Sequence, residues 1–149
     1  MTVEKLTAAH LGKIAELEAL CFADPWSEKA LELLLSDGAY GAVCIEDESV
    51  VAYGGVLWTP FEGQITNIAT HPDARRKGFG AAVLAHLIEA AASRADCEQL
   101  SLEARVSNIP AIALYERYGF EKMGVRRGFY KHPTEDAYVM CLSLDNAKK

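Results

Sequence analysis

The sequence predicts an α+β fold in which helices cover a mixed β-sheet. The first observation behind this prediction is a series of three β-branched or aromatic runs separated only by short turns, which is typical of an antiparallel meander. The second is that stretches with apolar residues at helical spacing lie before this series and again between later strand-like runs. Half of the 149 residues are apolar, which suffices for one core, and we expect a single domain over residues 1–149.

The N-terminal part of the chain contains one predicted strand and two predicted helices. Residues 2–6 form the strand, and Thr7 is a candidate cap for the first helix. The apolar residues of this helix recur at helical period and predict one buried face: Leu11, Ile14, Leu17, Leu20 and Cys21. Ser27 opens a second short helix that ends near Gly38, so residues 22–26 form an aromatic loop between the two helices.

The rest of the chain alternates between strands and helices. The meander consists of residues 40–45, 50–58 and 63–70. The later elements are predicted in the order helix 80–93, strand 99–104, helix 109–118, and strands 120–126 and 137–144.

Charge and residue usage exclude several classes of protein. The formal net charge of −6 argues against sequence-independent nucleic-acid binding and would suit a basic peptide substrate. Neither a signal-like start nor a run of about 18 apolar residues occurs, so we expect no export and no membrane partner. We therefore expect a cytoplasmic monomer that binds no nucleic acid.

The cysteines and histidines predict no metal site. The cysteines form no C-x-x-C pair, so we expect reduced thiols, as in a cytoplasmic protein: Cys21, Cys44, Cys97 and Cys141. The histidines show no ligand spacing either: His10, His71, His86 and His132.

A basic strand-to-helix turn predicts a binding site for a diphosphate. Residues 65–81 run from a strand through Pro72 into a helix start that contains Gly78 and Gly80. Because glycine has no side chain, a phosphate can approach the backbone there, and the first helical turn offers unpaired N–H groups. Three consecutive residues add positive charge where the helix dipole already favours an anion: Arg75, Arg76 and Lys77.

Two other phosphate-binding motifs do not match this turn. A dinucleotide-binding fingerprint needs a third glycine where the chain has Val83. A Walker loop needs Lys and Ser or Thr where Phe79 and Gly80 follow Gly78. An ordinary strand-to-helix connection stays the alternative interpretation of the Gly-x-Gly pair taken by itself.

Two separate stretches of the sequence resemble the GCN5-related N-acetyltransferase (GNAT) family. The pattern Arg75-x-x-Gly78-x-Gly80 resembles the family's acetyl-coenzyme A signature, and residues 108–120, an Asn followed by Leu-Tyr and Gly-Phe, resemble its second signature. Within the family, three segments are similar to bacterial ribosomal-protein-alanine N-acetyltransferases: residues 21–27, 102–108 and 135–137. The resemblance implies a mostly antiparallel central sheet flanked by helices.

The resemblance also implies a function. Members of this branch transfer acetyl from acetyl-coenzyme A (acetyl-CoA) to a protein N-terminal α-amine, directly and within a ternary complex. The acceptor implied is the N-terminal alanine of the eighteenth small-subunit ribosomal protein, so the expected partner is the N-terminal peptide of a ribosomal protein. A peptide α-amine has a pKa of about 7.7–8.0, against about 10.4 for a lysine side chain, so a modest base is sufficient near pH 7.

Individual residues receive roles from the same resemblance. Glu103 matches the proton acceptor, and Tyr115 matches the proton donor to the coenzyme A thiolate. The backbone at the end of strand 63–70 is expected to pair with the pantetheine and to aim an N–H at the thioester oxygen. The positions that match cofactor contacts are Ile68, Ala69, Thr70, Arg75, Arg76, Lys77, Gly78, Phe79, Gly80, Ala81 and Asn108.

The candidates for the acceptor groove come from the first inter-helix loop and the late hairpin: Phe22, Trp26, Tyr130, Glu135 and Asp136. The sequence departs from the family pattern at this groove. Phe129 stands where relatives tend to have a tyrosine, and Tyr138 replaces a more usual aliphatic residue. Both departures concern acceptor preference.

Simpler roles stay open for these residues. Glu103 is also a strand-end carboxylate that could pair with Arg105 or solvent, and Tyr115 could be a core tyrosine. Asn108 could be an ordinary helix cap, and the acceptor-groove candidates could serve packing or the solvated surface. For the whole protein, the alternatives are acetylation of a small amine or antibiotic and a non-catalytic acetyl-CoA sensor.

Overall fold

Strands and helices follow one another largely in the predicted order in the computed structural model, which describes residues 1–144. The strands are β1 (Thr2–Lys5), β2 (Ala39–Glu46), β3 (Ser49–Thr59), β4 (Glu62–Thr70), β5 (Gln99–Arg105), β6 (Glu121–Tyr130) and β7 (Glu135–Ser143). The helices are α1 (Leu11–Cys21), α2 (Glu28–Leu31), α3 (Phe79–Ala92) and α4 (Ile109–Arg117), with 3₁₀ turns at Ala8–His10, Glu32–Leu35 and Pro72–Ala74. None of the helices within residues 1–144 has the length and apolar character needed to cross a membrane.

The strands form one mixed sheet in the order β1-β2-β3-β4-β5-β7-β6. The first four are an antiparallel meander, as the short turns predicted, and β5, β7 and β6 are also antiparallel to one another. Among the strands of residues 1–144, only β4 and β5 run parallel to each other, and they pair through Glu62–Gln64 and Gln99–Ser101 alone. Beyond these residues the two strands diverge, and the sheet is split.

Apolar residues on the two faces of the sheet form two cores. Leu84 and Leu87 of α3 share one cluster with Ala42 of β2, whereas Ile14 of α1 shares the other with Val43. The neighbouring residues Ala42 and Val43 belong to opposite cores because successive strand side chains point to opposite faces. The helical spacing seen in the sequence therefore marks the buried faces of both long helices.

Close contact between α3 and the sheet depends on Gly54 of β3. A Cβ atom at this position would lie 2.8 Å from Val83 Cγ1 and 2.9 Å from Leu87 Cδ1. The helix therefore lies directly on the strand.

A bulge bends β4 close to the split. In the β3–β4 pairing Gly54 is opposite Ile68 and Val56 is opposite Ile65, so two β4 residues, Thr66 and Asn67, oppose one residue of β3. Bulges of this kind re-aim side chains and often border functional sites.

Two predicted elements differ from the structure. The second helix consists of a short α-helical segment followed by a 3₁₀ turn, because both the amide and the hydroxyl of Ser36 donate to the Leu33 carbonyl and tighten the last turn. The late hairpin is longer than predicted, with β6 extending to Tyr130, which pairs with Glu135.

Candidate active site

A cavity of about 540 Å³ lies in the split between β4 and β5. Residues 64–68 of β4 line one side, and residues 102–105 of β5 line the other. The α1–α2 loop, Asn108 at the N-cap of α4, Tyr115 near the other end of α4 and the end of β6 complete the walls. The fold therefore gathers the two resemblance-derived catalytic candidates and part of the acceptor groove around one space.

The glycine-containing turn has the backbone geometry predicted for an anion site. Gly78 precedes the first residue of α3 with φ at +84°, a left-handed conformation that glycine adopts without strain. Within residues 1–144 no side chain caps this helix, so its first-turn amides have no side-chain partner. A Cβ on Gly80 would lie 3.0 Å from Thr70 Oγ1, which keeps the turn close to β4.

The three basic residues of this turn have different environments. The Nε of Arg75 donates to the Thr70 carbonyl at 3.3 Å, and its Nη2 lies 3.6 Å from the sulfur of Cys21. This side chain therefore ties the turn to β4 and α1. Arg76 and Lys77 are exposed, so their positive charge is available at the end of α3.

Glu103 lies in the cavity wall with its side chain 11% exposed. Nε2 of Gln64 donates to its two carboxyl oxygens at 3.4 and 3.5 Å, and Nε of Arg126 lies 3.5 Å from Oε1. Arg105, the partner considered from the sequence, bonds Glu135 instead. The Glu103 carboxyl therefore faces the cavity, and its contacts with Gln64 and Arg126 are long. A further hydrogen-bond donor in the cavity can approach it.

Tyr115 lines the same cavity and packs against Phe120, with 6.0 Å between the ring centroids. Burial raises the pKa of the Tyr115 phenol to about 12, and the neighbouring Tyr130 phenol adds to the rise. Burial also raises the pKa of Tyr130 to about 12, with the Glu103 carboxylate as the next cause. The phenols are therefore protonated at neutral pH, and Tyr130 is within electrostatic reach of both catalytic candidates.

The remaining cofactor-contact candidates differ in their surroundings. Ile68 and Asn108 line the cavity, and Oδ1 of Asn108 also accepts a hydrogen bond from the Ala111 amide at 3.4 Å, as a helix cap does. The side chain of Ala69 is buried in the α1-side core. The carbonyl of Thr70 accepts from Arg75 and from the Cys21 thiol.

The acceptor-groove candidates fall into two groups. Phe22, Trp26 and Tyr130 line the cavity. Glu135 instead accepts from the Ser107 amide at 2.7 Å and from Nη1 of Arg105 at 3.2 Å, and Asp136 accepts from the Gly128 amide at 2.8 Å. These two carboxyl groups hold the β6–β7 hairpin.

The pKa of Glu135 agrees with its hydrogen bonds with Ser107 and Arg105. Its pKa is lowered first by the hydrogen bonds from Ser107 and also by the Arg105 guanidinium. The guanidinium itself lies 4.4 Å from the centroid of the Tyr130 ring, so Arg105 connects this carboxylate to the cavity wall.

A buried polar cluster at the back of the cavity was missed by sequence reasoning. Glu18 has no exposed surface, and its carboxyl accepts hydrogen bonds from the Trp26 amide, Asn67 Nδ2 and the Tyr53 hydroxyl. The one signal available in the sequence was its position on the apolar face of α1, four residues after Ile14.

Comparisons with known proteins agree with this geometry. A model of the acetyltransferase (GNAT) family matches residues 11–120. The [ribosomal protein bS18]-alanine N-acetyltransferase of Escherichia coli (strain K12) is 34% identical over 147 residues, covering 96% of this chain and 97% of that protein.

Solved structures give the same result at the level of the fold. The crystal structure of the ribosomal-protein-S18-alanine N-acetyltransferase from Escherichia coli matches with a TM-score of 0.88 at 33% identity, covering 96% of this chain and 93% of that chain. Arabidopsis thaliana NAA60 in complex with acetyl-CoA matches with a TM-score of 0.85 at 13% identity over 95% of this chain and 97% of that one, a likeness that shows the fold alone. The chain, with its mixed and mostly antiparallel sheet flanked by helices, therefore belongs to the acetyltransferase (GNAT) family.

Proposed function

We propose that this protein is an acetyl-CoA-dependent transferase that acetylates the N-terminal alanine of ribosomal protein bS18. The observation that carries the proposal is the split-sheet cavity, which holds Glu103 and Tyr115 in a chain similar over nearly its whole length to a bS18-alanine N-acetyltransferase. Such an enzyme works where ribosomal proteins are made, in the cytoplasm.

The turn before α3 fits the diphosphate of acetyl-CoA. Gly78 takes a left-handed conformation, the first helical turn is uncapped by side chains within residues 1–144, and Arg76 and Lys77 are exposed beside it. Backbone amides and positive charge at a helix N-terminus suit a diphosphate. Beyond Gln64, β4 is not paired with β5, so residues 65–70 can bind an extended pantetheine by backbone hydrogen bonds.

Acetyl-CoA supplies an acetyl group already activated as a thioester. The α-amine attacks its carbonyl carbon, so the new bond is acetyl–nitrogen and the broken bond is acetyl–sulfur. Glu103 accepts the proton that the amine loses, either directly or through one water. A carboxylate is a sufficient base because the α-amine of a peptide has a pKa of only about 7.7–8.0.

Tyr115 provides the proton that the departing sulfur needs. Its pKa of about 12 keeps the phenol protonated at neutral pH, as a proton donor requires. Phe22, Trp26 and Tyr130 then form the wall against which the acceptor peptide lies. No cysteine forms a covalent intermediate in this scheme.

A peptide assay tests the proposal. The purified protein is incubated with acetyl-CoA and a synthetic peptide that carries the bS18 N-terminus beginning with alanine, and mass spectrometry locates the added group. We expect acetylation at the α-amine. The same peptide with a blocked N-terminus and an added internal lysine should not react.

The same assay distinguishes the alternative functions. Faster acetylation of polyamines or aminoglycosides than of the peptide would contradict the proposed acceptor while keeping the chemistry. Binding of acetyl-CoA by calorimetry without turnover of any acceptor would favour a sensor.

A further inference from the structure

Glu18 combines full burial with a position between two walls of the cavity. It lies in the last part of α1, and among residues 1–144 it is the charged side chain with no exposed surface. Burial of a carboxyl group is costly unless several donors satisfy it. The hydrogen-bond donors of Glu18 therefore show which parts of the cavity wall it connects.

One set of contacts fixes the loop between α1 and α2. The Glu18 main-chain carbonyl accepts from the Phe22 amide at 2.9 Å, and its side-chain Oε1 accepts from the Trp26 amide at 2.9 Å. Glu18 therefore holds both ends of the loop formed by residues 22–26, whose side chains Phe22 and Trp26 line the cavity.

The other set of contacts reaches the sheet. Nδ2 of Asn67 donates to Glu18 at 3.0 and 3.3 Å, and the Tyr53 hydroxyl donates to Oε2. Asn67 belongs to the β4 bulge and lines the cavity, whereas Tyr53 is a buried residue of β3 that pairs with Ala69 of β4. One carboxyl group thus connects the loop on the acceptor side with the strand proposed to carry the thioester.

We propose that Glu18 is a positioning residue for acetyl transfer, which holds the 22–26 loop against the β4 bulge and so sets where the acceptor amine lies relative to the donor. This inference rests on the proposed function. The contacts of Glu18 do not include the basic turn before α3. Replacement of Glu18 should therefore weaken binding of the acceptor peptide far more than binding of the acetyl-CoA diphosphate.

The kinetic test uses variants that change the cluster without enlarging it. Glu18→Gln replaces one acceptor oxygen by a donor, and Tyr53→Phe removes one hydroxyl. We expect the peptide KM to rise about tenfold in Glu18→Gln and about threefold in Tyr53→Phe, while the Kd for acetyl-CoA changes less than about twofold.

Ile14→Ala is the matched control. Ile14 lies on the same helix face one turn earlier, is fully buried in the same core, and has no part in the cluster. Its replacement lowers stability by leaving a cavity, but the peptide KM should stay at the wild-type value. A general loss of stability would raise the peptide KM in all three variants alike.

A fluorescence readout tests positioning without any turnover. The chain has two tryptophans, so the substitution Trp58→Phe leaves Trp26 as the only reporter. In that background, Glu18→Gln should increase acrylamide quenching of Trp26, whereas Ile14→Ala should not. This result stands even if the bS18 peptide proves not to be the substrate, which separates a failure of this inference from a failure of the proposed function.

Two results would overturn the inference. One is an unchanged peptide KM together with unchanged Trp26 quenching in folded Glu18→Gln. The other is a rise in the acetyl-CoA Kd as large as the rise in the peptide KM. If Glu18→Gln does not fold, the same two measurements on Tyr53→Phe decide.

Discussion

At the scale of single residues, the proposed chemistry depends on two side chains, Glu103 as the proton acceptor and Tyr115 as the proton donor. The contacts of Glu103 to Gln64 and Arg126 are 3.4–3.5 Å long, which leaves its carboxyl able to bind an incoming amine. Tyr115 is half-buried and packs against Phe120, and its raised pKa keeps the phenol protonated. A base and an acid in one cavity let both proton transfers occur without a covalent enzyme intermediate.

Removal of either group should reduce the rate of chemistry rather than binding. Glu103→Gln and Tyr115→Phe should each lower kcat about a hundredfold or more, because general acid–base catalysis contributes at least that much. Steady-state kinetics measure this, and calorimetry should show an almost unchanged Kd for acetyl-CoA. Glu121→Gln, an exposed carboxyl on β6, should behave as wild type. Full activity in both variants would remove the two residues from the mechanism.

The raised pKa of Tyr115 has a consequence for stability at high pH. The folded-state pKa is about 12 against an ordinary value of 10.0, so folding favours the protonated phenol. This contribution is complete below pH 10 and is lost as the pH rises through about 12. Urea unfolding of the wild type and Tyr115→Phe should therefore show their free-energy difference falling as the pH rises from about 10 to about 12. A difference that does not change over this range would contradict the burial of the phenol.

At the scale of elements, the turn before α3 follows the strand β4, which lines the cavity, and the late hairpin lines the cavity through the end of β6. The turn depends on a left-handed residue at its last position, Gly78. The hairpin depends on Arg105, whose guanidinium donates to the carbonyls of Lys131 and Pro133 and to Glu135.

Gly78→Ala should weaken both folding and cofactor binding. A left-handed conformation costs a residue with a Cβ about 1–2 kcal/mol, and relief of that strain would move the first-turn amides of α3. The free energy of unfolding should fall by about this amount, and the Kd for acetyl-CoA should rise. Gly38→Ala is the control, because Gly38 is also exposed but has no positive φ and no atom within 4 Å of an added Cβ. Equal effects of the two substitutions would argue against a role for the turn.

Arg105→Lys should loosen the hairpin while keeping the charge. An ammonium group cannot reproduce the fork that reaches Lys131, Pro133 and Glu135 together, nor its stacking on Tyr130. We expect a several-fold higher peptide KM and little change for acetyl-CoA, measured by initial rates. Arg127→Lys, on exposed β6, should leave both constants unchanged.

At the scale of the whole molecule, the close stacking of α3 on β3 holds the split sheet in shape. Gly54→Ala would place a Cβ within 3 Å of Val83 and Leu87, and overpacking of this kind costs about 1–3 kcal/mol. Thermal unfolding should show a clear loss of stability. Gly12→Ala, in α1 with 3.8 Å of clearance, should instead raise stability by about 0.5–1 kcal/mol because alanine favours a helix.

Much of this architecture was readable from the sequence, because periodicity and turn residues are local signals. They located β2 to β4, α3 and the glycine turn within one or two residues. The split between β4 and β5 was not readable, since nothing in either strand marks where pairing stops. The Glu18 cluster was missed for a similar reason: its partners Tyr53 and Asn67 lie 35 and 49 residues away. Likewise, Glu103 of β5 and Arg126 of β6 come close because both strands pair with β7, a topology that the local sequence does not show.

The division of the sheet between β4 and β5 also bears on how acceptor preference could change. On the proposed function, the donor half of the site belongs to β4 and α3, whereas the acceptor half belongs to the 22–26 loop and the β6–β7 hairpin. Substitutions in those two segments can therefore select a different amine without disturbing the machinery that holds the acyl carrier. The same fold can in this way acetylate different acceptor substrates by the same reaction.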